Sequence, residues 1–566
     1  MDMSLIQGII SSHMKDLSPD SSPEAKIQFL DEDERVKKKQ DFESRAEFFR
    51  REFIPTIQPR AESGGRPNKQ DLVGIVDAQI VSDYCRKLGG LAEEASRYDW
   101  THDEPKITAE FHRLRIEGSL RLAKARLPSL VFISSTISGE VDFTKARFLG
   151  QVVASYTDFL DDVYFNHAVI SGVALLTDTK FSGNAYFSST EFSSYADFPN
   201  SIFMGDAYFT DAAFTLGSNF TSSQFHNRGM FHRSILSGLS FLDEATFNGF
   251  ADFEEAKFLG VTTFRKVSFL KGATFQGAVF SDNVDFSDSK FPDLANFEGA
   301  VFTRQARFLD CQFKKQTIFS RSRFALCPRF HEAVLHQDTS FTGARFDSMA
   351  LTKRVQQMLA SLPLVGRVLQ KFQQTFSAGD TRVNWGGEAR AYRTLKLLMS
   401  KHQAQHEASR FFAGEMRCRR REFGLKQPVH YFVSQLYDFF SEFGQSAGRV
   451  LFWMLLINAI FTFGYLIQEQ QDTTAGQPRF AIVEQQGGSK ATAQLPRWDR
   501  EHTWLALSMQ SFNPVAFLSP KNTWVQIYDG AVFTQGVSQS LMNLVLLILL
   551  AISLRGQFRR GSGGGD

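Results

Sequence analysis

Only four cysteines occur in 566 residues, Cys85, Cys311, Cys327 and Cys418, too few and too far apart for a disulfide framework. They are expected as reduced thiols facing a cytosol. A charge excess of one sign is also missing. The 63 Lys and Arg stand against 61 Asp and Glu, a net of +2, so no global imbalance points to nucleic acid. Mean hydropathy is near zero, which excludes a many-span transporter, and no secretory signal peptide is expected. No glycine-rich phosphate loop, zinc-ligand spacing or nucleophile elbow is present. No catalytic residue, cofactor or metal is therefore expected, and the chain is not expected to be an enzyme. Tyr and Trp are scarce at 12 and 6 copies, whereas Phe reaches 58. Something repetitive is using one side-chain shape.

The repeat is a ladder. From Phe181, Phe falls at 187, 192, 198, 203, 209, 214, 220, 225 and 231, spaced alternately six and five. After an apparent slip around Leu236 and Phe241 it resumes at Phe247, Phe253 and Phe258. It then runs through Phe269, Phe280, Phe291, Phe302 and Phe313, with rungs between them, to Phe346. Backwards, Phe165, Phe159, Phe148, Phe143, Ile137 and Phe132 keep step, and Phe111, Ile116, Leu122 and Leu127 look like opening rungs. Two residues before each Phe lies a small one, such as Ala185, Thr190, Ala196 and Ser201. Neither helical nor simple strand periodicity gives this spacing. A chain turning a corner every five or six residues does, with one large and one small side chain inward per side. The rungs Phe187, Phe198, Phe209, Phe258, Phe269, Phe280, Phe291, Phe302 and Phe313 are thus expected in a continuous core. Cys311, two before Phe313, and Cys327 read as core; His331, His336, Asp282, Asp285 and Asp288 read as surface.

FSGNAYFSSTEFSSYADF and FLKGATFQGAVFSDNVDF resemble the pentapeptide-repeat family in its Phe-centred variety. The resemblance implies a right-handed quadrilateral β-helix of 22 residues per coil over residues 111–350. That is about 50 Å of stack at ~4.8 Å per coil. Some proteins of this family imitate duplex DNA with an acidic surface. Residues 131–300 do carry a net charge of −10, but residues 301–346 carry +5. The change of sign fits a rod with a basic end near a membrane better than a DNA mimic.

Residues 1–110 read as a helical, partly flexible region. They comprise a charged helix within 23–53, a Pro/Gly-rich linker from Pro55 to Asn68, and a helix over Asp71–Tyr98. Residues 351–448 read as a basic helical linker; 351–430 carry a net charge of +10. Helices are expected over Thr352–Thr375, Glu388–His402 and Gln405–Glu422. An interfacial, aromatic-rich helix is expected over Tyr431–Phe443, ended by Gly444. Within 449–560, Val450–Ile467 and Val537–Leu554 are apolar runs long enough to approach a bilayer crossing. Arg449 precedes the first, and Arg555, Arg559 and Arg560 follow the second. The connection shows no cationic excess, which places both ends in the cytoplasm. Trp504–Phe512, ending in Asn513-Pro514, is short enough for a re-entrant segment. Gln535, Gln539 and Asn543 form a polar stripe opening the second span and continue into Leu547 and Leu550, which reads as a pore lining. Residues 561–566 read as a flexible tail.

Ala391-Tyr392-Arg393-Thr394-Leu395-Lys396, with Ala408, Phe411-Phe412 and Glu415-Met416, resembles a linker of bacterial membrane proteins. Those proteins join pentapeptide repeats to an ion-channel-like module. Phe443-Gly444-Gln445-Ser446 and Leu554-Arg555 resemble that module's entry and exit. The potassium filter TVGYG is absent. The expectation is a bacterial inner-membrane protein with a mostly cytoplasmic chain. It would be a homo-oligomeric, channel-like pore in the lipid bilayer, whose β-helix senses a cytoplasmic protein or small-molecule ligand. The alternative is a non-conducting, membrane-anchored binding scaffold. Nucleic acid is not an expected partner.

Overall fold

The structure, a computed structural model, describes residues 28–29, 32–56, 58–59, 74–99, 107–346, 384–475, 480–482, 508, 525–527 and 530–561. The expected helix over 352–375 and the tail lie outside these residues. The described chain forms two compact units.

The first unit is a parallel β-solenoid. Its four sides are stacked sheets of twelve, ten, eleven and ten short strands, and nearly every strand is two residues long. Pairing advances by 22 residues, as in Lys180↔Ile202 and Ala185↔Ala207. The first coil is one residue shorter: Phe111 pairs with Phe132 and Arg115 with Thr136. The Phe side chains fill the interior in face-to-face columns. Phe187 and Phe209 stack at 4.9 Å and 1°, while Phe198 meets Phe187 edge-on at 85°. Stacking along each column and edge-to-face packing between columns explain why Phe is chosen, since a buried Tyr or Trp would need a polar partner. The small residue beside each ring leaves room for the next column, as at Ala185, Ala196 and Ala207.

The ladder has no slip. Leu236 and Leu242 are both fully buried and keep the five-and-six spacing from Phe231 to Phe247, while Phe241 is displaced outward and only half-buried. The slip expected from sequence came from assigning the rung to the nearest Phe rather than to the residue at the right spacing.

Two of the four corners in each coil are four-residue turns closed onto a rung carbonyl. The Ala146 N–H donates to the Phe143 carbonyl at 2.9 Å, and the Ala212 N–H to that of Phe209 at 3.1 Å. The third turn residue is left-handed, and this recurs every eleven residues from Ser134 to Gly343. Only Gly277, Gly299 and Gly343 fill that position with glycine; the others include Lys145, Asn200, Arg233 and Glu255. The conformation is held by the stack, because the same residue's N–H donates to the next coil, as from Lys145 to Asn166 at 2.8 Å. Where the fourth turn residue carries a hydroxyl or thiol, it usually donates inward to the rung carbonyl of the coil before, although Ser234 donates to Phe231 of its own turn. Thr190 reaches Phe165 at 2.7 Å, Ser223 reaches Phe198 at 2.6 Å, and Cys311 reaches Phe286 at 2.9 Å.

At the N-terminal end, α1 (Glu32–Phe53) and α2 (Ala78–Ala95) cover the first coil. Phe53 stacks on Tyr84 at 4.5 Å, and both meet Phe111 edge-on. At Gly89 any Cβ would overlap the Arg126 carbonyl oxygen, so α2 can lie this close only with glycine there. The expected start of α2 at Asp71 is too early. Gly74–Asp77 is a strand parallel to Leu114–Glu117, and Asp77 then caps α2 by accepting the Gln79 N–H at 2.7 Å. The β-branched Ile75 and Val76 suit that strand.

The second unit is helical. An antiparallel pair, α3 (Trp385–Lys401) and α4 (Gln405–Phe423), packs around Leu395, Met399, Ala408 and Phe411. Then come α5 (Pro428–Ser441), α6 (Ala447–Ala475) and α7 (Gly530–Gly561). Helix α5 ends three residues before Gly444. Glu442, Phe443 and Gly444 are all left-handed and turn the chain into α6.

Candidate functional site

Two regions of the molecule carry polar groups in a functional arrangement: the outer faces of the solenoid and the interior of the α6–α7 pair.

On one solenoid side the outward positions stack Tyr164, Tyr186 and Tyr208 at 4.7 and 5.0 Å. The Tyr164 and Tyr208 hydroxyls donate to Asp162 and Asp206 one row away. Partial burial, followed by the nearby Asp162 carboxylate, pushes the Tyr164 hydroxyl up to about 12, so it stays a donor at neutral pH. Ion pairs one coil apart brace other corners, Arg233–Asp211 at 2.7 Å and Arg265–Asp243 at 2.6 Å. Cys85 and Cys311 are buried, and burial raises both thiols, so they pack and do not react. His331 is exposed, and His336 lies 3.4 Å from Asp338. Asp282 and Asp285 accept hydrogen bonds from their own turns, Asp282 from the Asn283 N–H and Asp285 from the Ser287 N–H.

One grouping escaped the sequence reading. His232, Asp252 and Glu254 bring one ligand atom each within 4.8 Å of one another. They are 20 and 22 residues apart, so the coil period, once known, is the signal that could have found them.

The two long helices contain Ala447–Ile467 and Thr534–Leu554, each long and apolar enough to cross a membrane. Less than a third of either stretch is buried, unlike a core helix of a soluble protein. Leu451, Phe452, Leu455, Ile460 and Phe463 of α6 are exposed, as are Leu541, Val545, Ile548 and Ile552 of α7. Between the helices lies a polar cluster centred on Asn458. Its amide N–H donates to the Asn543 carbonyl at 2.8 Å and to the Met454 carbonyl at 2.7 Å. Its own carbonyl accepts from Gln539 at 2.7 Å and from Asn543 at 3.0 Å. Ser508 joins from the connecting segment, 2.6 Å from Thr462 and 3.3 Å from Gln539.

The sequence-predicted stripe therefore turns toward α6 of the same chain. Gln535 lies against Gly464, Gln539 and Asn543 are fully buried on Asn458, and Leu550 packs with Val450, Met454 and Leu546. Leu547 alone among the five points to the surface. Trp504, Phe512, Asn513 and Pro514 lie outside the described residues.

A stack of 22-residue coils with a Phe interior defines a class, the pentapeptide-repeat solenoid. A family model for pentapeptide repeats (nine copies) matches residues 165–213, 242–290 and 275–323, so those stretches of the solenoid are pentapeptide repeats. No curated protein and no solved structure matches the chain.

Proposed function

We propose that this protein is a membrane-anchored binding scaffold, in which the α6–α7 pair holds a pentapeptide-repeat rod at a bilayer. The carrying observation is the cluster around Asn458. Polar groups at membrane depth face protein or water, and here Asn458, Gln539 and Asn543 hydrogen-bond one another within one chain and leave apolar surfaces outward. Nothing in that arrangement requires a water-filled path. The basic flanks, Arg449 before the first span and Arg555 with Arg559 and Arg560 after the second, support a cytoplasmic rod and termini at a bacterial inner membrane. The role proposed is binding, not catalysis, with a cytoplasmic protein or small molecule as the partner of the rod.

The second reading is a homo-oligomeric, channel-like pore, and one observation favours it. Gln539 Oε1 is buried and has no hydrogen-bond partner among the described residues, an acceptor that another subunit or a permeating cation could use. Ion flux into liposomes, with the mass in detergent measured in parallel, separates the two. The scaffold predicts no flux, and unchanged silence in Asn543→Leu. Flux from an oligomer that falls in Asn543→Leu would establish the pore instead.

A further inference from the structure

Helix α5 is amphipathic in the wrong sense for a water-soluble protein. Its inward side carries Asp438 and Ser441 beside Phe440, while His430 and Gln435 stay exposed. Asp438 is held by Arg417 at 2.8 Å and Arg420 at 2.9 Å, and Arg420 also donates to the Ser434 carbonyl at 3.2 Å, which fixes the rotation of α5 against α4. Its apolar side is turned outward. Val429, Phe432, Val433, Leu436 and Phe439 are 50–75% exposed. Their spacing of three, one, three and three puts them within one arc of about 120° at 3.6 residues per turn. Removing that surface from water would be favourable, and the ionic clamp holds it outward.

We propose that this stripe docks on the surface of an anionic lipid bilayer, with α5 lying flat at the headgroup boundary. The inference rests on the membrane reading of α6 and α7 and adds a third contact to it. Continuity argues for lipid: Phe439 and Phe440 pack on Trp453 at 4.6 and 5.6 Å, so the stripe runs into the outward face of α6 at Leu451 and Phe452. Trp and Phe at this junction suit the interface. Charge selects the lipid: residues 384–449 contain eleven Lys and Arg against six Asp and Glu. Cations near an anionic surface add attraction to it.

The test uses full-length protein in vesicles of phosphatidylcholine with phosphatidylglycerol. A single environment-sensitive fluorophore is placed through Phe432→Cys, Val545→Cys or Lys426→Cys; the native cysteines are all buried and should not label. The expected result is that the probe at 432 is quenched by shallow spin-labelled lipid and protected several-fold from iodide relative to 426. The probe at 545 should be quenched by deep lipid labels. Omitting phosphatidylglycerol should weaken protection at 432 and leave 545 unchanged. A water-exposed probe at 432 beside a lipid-quenched one at 545 overturns the proposal alone. So does protection at 432 without lipid quenching, which would assign the stripe to a second copy of the chain. Absence of lipid quenching at 545 would overturn the membrane reading itself.

Discussion

The solenoid and the helical unit bury large side chains by opposite strategies. In the solenoid each rung repeats a solved packing problem, so about 240 residues rest on one local rule applied along the chain, as in other repeat architectures. In the helical unit single contacts decide the arrangement: Asn458 joins two long helices, and Asp438 orients a third. Redundancy makes the rod's loss graded and local, whereas unique contacts make the helical unit's loss abrupt.

The largest effect is expected at a rung. Phe209→Ala removes a ring from the middle of a column and should destabilise by about 3–5 kcal/mol, with raised hydrogen exchange in the coils on either side. Phe250→Ala deletes the same side chain from an outward corner, 38% exposed, and should change stability by less than about 0.5 kcal/mol. Equal effects at the two positions would deny that the ladder, as opposed to Phe content, holds the fold.

Next is Asn458→Leu, which removes the shared partner of Gln539 and Asn543. Hydrogen bonds between membrane helices are worth about 0.6–1.7 kcal/mol each, so the midpoint of thermal aggregation in detergent should fall. Asn458→Leu combined with Asn543→Leu should recover part of the loss, because one orphaned amide has gone.

Acid should act on the α4–α5 clamp. Burial pushes the Asp438 carboxyl up, but Arg417 and Arg420 together outweigh it and hold it below the usual carboxylate range. A folded-state value below the unfolded one means the clamp stabilises at neutral pH and is lost as pH falls below about 4, through the folded-state value. Hydrogen exchange in α5 should rise over that window, and Asp438→Asn should abolish the pH response.

The smallest effects belong to the left-handed corners. Lys145→Gly relieves a φ of +60° and should stabilise by up to about 1 kcal/mol, and Gly277→Ala should destabilise by a similar amount. Calorimetry on the full chain would register both as small shifts of opposite sign.

Much of the rod was legible because its contacts are local in a periodic sense. Once the spacing is five and six, every neighbour beyond the first coil lies 22 residues away, so core, sides and stacking follow from counting. Counting by residue type failed at Phe241, where Leu242 holds the rung, because the fold reads position before identity. The left-handed corners went unread: Gly277, Gly299, Gly343, Asn200 and Asp288 favour that conformation, but Lys, Arg and Glu elsewhere in the series do not, and there stacking hydrogen bonds impose it. In the helical unit, sequence alone determined that two apolar stretches of bilayer length exist and that Gln535, Gln539 and Asn543 share a face. Tertiary structure decided what that face meets, because Asn458 lies 81 residues from Gln539 and no period links them. It likewise decided that α5 shows its apolar side outward. An amphipathic pattern defines two faces, and only the partner of the polar one, here two arginines on the preceding helix, settles which faces out.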